Sequence, residues 1–99
     1  MNEVTRFIIR GVRESPLEKK CKIEAVGEIR SHAEIIRSLF CEEFMAPEVD
    51  LPYLVANYAF DLIIPVLEKH KVPHPNGRDA YRHICQAVGG GNSLEYEVG

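Results

Sequence analysis

Residues 15–25, SPLEKKCKIEA, support two incompatible backbones. Ser15-Pro16-Leu17-Glu18 reads as a helix start, with a serine cap, proline at the first helical position and glutamate at the third. Leu17, Cys21 and Ala25 then recur at every fourth residue. Against this, Lys20-Cys21-Lys22-Ile23-Glu24-Ala25 alternates strictly between polar and apolar residues, the period of a half-buried strand. Gly27 would also interrupt a helix continuing to Phe44, at about 1 kcal/mol relative to alanine.

The preceding residues tip the balance. In Val4–Val12, Thr5, Phe7, Ile9 and Gly11 alternate with Val4, Arg6, Ile8, Arg10 and Val12. The first set is the more apolar and is expected inside, which leaves Arg6 and Arg10 on a basic outer face. The expectation is a β-hairpin with its loop near residues 13–19. Leu94, Tyr96 and Val98, alternating with Glu95 and Glu97, read as a terminal strand able to join it or as a mobile tail.

Helices account for the rest. Ser31-His32-Ala33-Glu34 is a capping box followed by an apolar helical pattern through Ala33, Ile36, Leu39/Phe40 and Phe44, ending near Pro47. Asp50 can cap the next helix, Leu51–Lys71, which is apolar over most of its circumference and so belongs in a core or at an interface. Its polar exceptions Asn57, Asp61 and Glu68 share one narrow side. Pro65 removes a donor and collides with the Asp61 carbonyl, so a kink or break is expected near Ile64. Val72–Gly77 reads as a turn and Arg78–Val88 as a short helix, with Tyr81, Ile84, Cys85 and Val88 inward and Gly89 as its stop. The predicted fold class is α+β: one compact domain over residues 1–99, a hairpin packed on three helices, the kinked central one innermost.

Composition narrows the function. The 99 residues carry 12 basic and 15 acidic side chains, a net charge of −3. The bulk charge therefore offers no general attraction to nucleic acid or to an anionic membrane. Locally the balance varies. Residues 1–22 carry six Lys/Arg against three acids, residues 23–50 two against seven, and the remainder four against five. Cys21, Cys41 and Cys85 are odd in number, lack a CxxC spacing and suit a reducing compartment. The amino-terminal residues lack the pattern of a secretory leader, and the 51–67 run is short and interrupted by Asp61, so a cytoplasmic protein with no membrane partner is expected.

Candidate chemistry is sparse. His70-x3-His74 has a zinc-like spacing, but Pro73 and Pro75 place His74 in a turn, and no second ligand pair accompanies them or His83. Cys85 and His83 are two residues apart and would face different sides of a helix, while Cys41 sits on an acidic helix. No catalytic constellation, cofactor motif or metal site is read from these residues. The expectation is a non-enzymatic interaction protein (regulator, adaptor or inhibitor), a profile shared by small inhibitors of host systems carried by phages and mobile elements. Tyr53, Asn57, Phe60 and Asp61, with Arg6 and Arg10, are its candidate partner-binding residues, and a homodimer would use the same surface. The alternative is a nucleic-acid-binding regulator that uses Arg6, Arg10, Arg13, Lys20 and Lys22 on the hairpin, or Arg78 and Arg82 at helical spacing.

Overall fold

A computed structural model describes residues 3–40 and 51–89 of the chain. Among these residues the fold is all-helical, with no strand. Five helices follow in order: α1 (Glu3–Glu14), α2 (Lys19–Ser31), α3 (Ala33–Leu39), α4 (Leu51–Lys69) and α5 (His74–Gly89). The expected terminal strand, Cys41, Phe44 and the Asp50 cap lie outside the described residues.

The β-hairpin is therefore corrected to two helices, and the side chains show why. In α1 Thr5, Ile8, Ile9 and Val12 are buried, the i, i+3, i+4, i+7 set of one helical face, with Gly11 buried beside them. A strand would have turned Ile8 and Val12 outward with the arginines. In α2, Cys21, Ala25 and Ile29 recur at i+4 and are buried together with Val26, while Ile23, which the alternation placed inside, is 62% exposed. The helical period wins because it brings Ile8, Ile9 and Val12 into the core together, and the strand period does not.

The boundaries shift as well. Ser15 does not cap α2: its hydroxyl donates to the Val12 carbonyl at 2.6 Å and so closes the end of α1. Ser31 likewise ends α2, donating to the Glu28 carbonyl at 2.8 Å, and α3 begins after His32. Of the predicted inward residues of α3, Ile36 and Phe40 are buried and Leu39 is exposed. The predicted turn at residues 72–77 is in part the first turn of α5, which takes in Pro75 near its start, where a missing amide donor does no harm.

Helix α4 runs unbroken through Pro65. Pro65 and Asp61 are both exposed, so the carbonyl that loses its donor faces the solvent side. The helix that touches every other one is α1, not α4. Helices α1, α2, α4 and α5 close a ring through the α1–α2, α2–α4, α4–α5 and α5–α1 contacts, with α3 laid against α1 and α2. Ile8, Val12, Ile29, Val55, Ile63 and Ile84 fill its centre and are fully buried.

The α1–α5 contact is the most extensive and is made backbone to backbone. A Cβ on Gly11 would lie 2.5 Å from the Ile84 Cα and 2.8 Å from the His83 carbonyl oxygen. At the other end of the ring, α4 closes with a Schellman motif. The Lys71 amide donates to Glu68 O and the Val72 amide to Leu67 O, both at 3.0 Å, and Lys71 takes a left-handed φ of 52°.

Two glycines of the same apparent type should respond oppositely. Gly11→Ala should cost about 1–3 kcal/mol, because the new methyl meets backbone rather than a flexible side chain. Gly27→Ala, with nothing within 4 Å of its Cβ position, should stabilise by about 0.5–1 kcal/mol. Thermal unfolding followed by circular dichroism would read these as midpoint shifts of opposite sign, on the order of 4–8 °C per kcal/mol. By the same measurement, Lys71→Gly should raise the midpoint, since relief of a left-handed non-glycine residue is worth on the order of 1 kcal/mol.

Candidate functional site

The helical form of residues 3–14 rearranges the basic residues. Arg6, Arg10 and Arg13 stand at i, i+4 and i+7, so they form one exposed stripe on α1, on the side away from Ile8 and Val12. Arg30 of α2 joins them. The four arginines, with Ile9 and Glu14, line an open cleft of about 430 Å³ between the two helices. Arg10 Nε donates to Glu14 Oε2 at 3.0 Å, one turn further along.

The other predicted cations go elsewhere. Lys22 Nζ donates to the Arg13 carbonyl at 2.6 Å, which places a positive charge at the carboxyl end of α1, where the helix dipole favours it. Lys20 is exposed on α2 outside the cleft lining. On α5, Arg82 pairs with Asp79 at 2.8 Å, and Arg78 borders a different depression. Arg30 was not singled out from the sequence, because nothing in a strand reading brings residue 30 beside residues 6–13.

That second depression is a groove of about 450 Å³ between α4 and α5. Phe60, Ile64, Leu67, Val72, Pro73 and Tyr81 give it apolar walls. Glu68 borders it from α4, and His74 and Arg78 border it from α5. Phe60 meets Tyr81 edge to face, with centroids 5.7 Å apart and planes at 83°, a favourable aromatic geometry that joins the two walls. Of the predicted partner-binding set, only Phe60 lines this groove. Tyr53 and Asp61 are exposed and Asn57 is half-buried on the same helix, outside the groove lining. Arg6 and Arg10 belong to the α1–α2 cleft and are not brought together with Tyr53 or Phe60.

A third arrangement joins α2 to the end of α4. Glu24 Oε1 accepts from Lys69 Nζ and Glu24 Oε2 from His70 Nε2, each at 3.0 Å. Those two hydrogen bonds, Lys69 first, hold the Glu24 carboxyl below its ordinary value. Cys21 and His70 both line a small cavity of about 80 Å³ nearby. The Cys–His–Glu order invites comparison with a thiol triad, but the thiol is not primed. Cys21 is 1% exposed, and burial followed by the charges of Glu24 and Glu18 pushes its pKa up. A nucleophilic cysteine needs the opposite shift.

The histidines stay apart. His70 bonds Glu24, His83 Nδ1 donates to the Asp79 carbonyl at 2.7 Å, and His74 borders the groove. Among the described residues, no three His, Cys, Asp or Glu side chains converge in a metal-ligand arrangement. No helix among them is long and apolar enough to cross a membrane.

Among the described residues these features define a small bundle of five helices that carries a cationic cleft and, apart from it, an apolar groove. The chain matches no family model, and neither a curated protein nor a solved structure resembles it.

The Glu24 bridge sets a pH dependence. A carboxyl held low in the folded state stabilises the fold above its unfolded pKa, near about 4.3, and loses that contribution as pH falls through the folded value. Glu24→Gln should therefore lower the unfolding midpoint at neutral pH, and its difference from the parent should shrink steadily as the pH drops below about 4. Denaturation series at matched pH values would check this.

Proposed function

We propose that this is a non-enzymatic protein-binding module whose α4–α5 groove receives the apolar side chains of an amphipathic helix on a partner protein. The observation that carries the reading is the groove itself. It has apolar walls and a volume of about 450 Å³, and it is open at the surface of a domain that already has a filled core. Grooves between two helices take apolar anchors spaced at i, i+3/i+4 and i+7. The rim fits such an occupant, since an acidic α4 side at Glu68 faces a basic α5 side at Arg78 and His74. A helix with basic residues along one flank and acidic residues along the other would be held in one orientation.

Phe60 and Tyr81 are the natural anchors, because large aromatics at the centre of a desolvated patch carry much of the energy of an interface. A module of this kind acts by occupying its partner's surface, as a regulator, adaptor or inhibitor. A second copy of the chain would be recognised by the same chemistry if it could present such a helix.

Native mass spectrometry of the protein purified from its own host tests the reading. A stoichiometric protein partner should accompany the parent chain and be lost from Ile64→Glu, which places a charge in the groove wall. It should be weakened several-fold in Arg78→Glu, a rim change that spares the core. Unchanged unfolding midpoints would separate lost binding from lost folding. A parent protein that persists as a bare monomer would count decisively against the proposal.

A further inference from the structure

The α1–α2 cleft has no part in the groove described above and calls for its own occupant. We infer that it docks a carboxylate-rich segment of a protein partner. Arg6, Arg10 and Arg13 lie at successive turns along about 10 Å of one helix, and Arg30 faces them across the cleft. Like charges one turn apart repel, so an array of this kind gains from an anion placed among them. Of these four arginines only Arg10 has an ion-pair partner among the described residues, Glu14, and both side chains of that pair are more than half exposed. Arg6, Arg13 and Arg30 keep their planar forks open, and such forks match carboxylate geometry through two parallel hydrogen bonds.

Two observations favour a carboxylate-rich peptide over a phosphodiester chain. The contact between Arg10 and Glu14 shows the cleft already pairing a guanidinium with a carboxylate at 3.0 Å. The footprint is four cations on a chain of net charge −3. Affinity for nucleic acid grows with the number of phosphates neutralised by Lys and Arg, and a small footprint on a net-negative chain supplies little of it. The arginine spacing along α1 matches acidic residues at i, i+4 and i+7 on a partner helix, the same period read from the other side.

Fluorescence anisotropy with a labelled oligoglutamate peptide, and separately with a labelled DNA oligonucleotide, tests this at about 50 mM and about 200 mM salt. The peptide should bind the parent protein at the lower salt and weaken at the higher. Arg6→Gln/Arg30→Gln should reduce its affinity by about tenfold, and Arg6→Lys/Arg30→Lys, which keeps the charge and loses the fork, should fall between. Arg78→Gln and Ile64→Glu, both in the other depression, should leave peptide binding unchanged, so the two sites succeed or fail separately. Absence of peptide binding at the lower salt, equal binding by the Arg6/Arg30 variant, or an equal loss in Arg78→Gln would each overturn the inference. Tighter binding of DNA than of the peptide would overturn it in favour of a nucleic-acid surface.

Discussion

Helices α1 and α5 meet at Gly11, where the first helix lies directly on the backbone of Ile84 with no room for a methyl group between them. Much else depends on that approach. It closes the ring of four helices, because α1 also carries α2 and α5 also carries α4. It drives Ile8, Val12 and Ile84 into the same fully buried centre. It also sets the rotation of both helices about their axes. With one face of α1 pressed inward, its arginines have only the opposite side left. With Ile84 of α5 turned toward α1, Tyr81 is left at the wall shared with α4.

The opposite side of the ring is joined by different forces. There α2 and α4 bury Ala25, Ala59 and Ile63, and Glu24 reaches Lys69 and His70 at the end of α4. This bridge is half exposed, so it is a weak fastening next to the buried residues beneath it. Its position does more than its strength. It ties the last turn of α4 to α2 just before the left-handed Lys71, and so steadies the residues that turn the chain into α5 and form one end of the apolar groove. The two depressions therefore fall on different pairs of helices, one electrostatic and the other apolar, with no lining residue in common.

How much of this was legible depended on the residue. The 51–69 helix was, because a segment apolar nearly all round and too long for an ordinary strand leaves few alternatives. The inward residues Ile36 and Ile84 were, since each repeats at helical spacing within its own segment. The first 25 residues misled, because short apolar runs such as FII satisfy a period of two and a period of 3.6 together. Phe60 was singled out for the company of Asn57 and Asp61. The structure places it instead against Tyr81, twenty-one positions along the chain. Arg30 carried no local signal at all. Its membership of the cleft is a contact between helices, and contacts of that range leave no mark on a single sequence.

The sequence by itself determined one apolar chain segment capable of building a core, an amino-terminal region rich in positive charge and an acidic region after it. These follow from composition and local spacing, which do not depend on the fold. Only the tertiary structure decided that residues 4–12 coil rather than extend. Burial of Thr5, Ile8, Ile9 and Val12 together requires a partner surface, and α5 supplies it. That decision turns alternating arginines into a stripe, gives the stripe a fourth member on α2, and leaves the apolar groove on the other pair of helices. Local preference in this segment is nearly balanced, and burial against distant residues outweighs it.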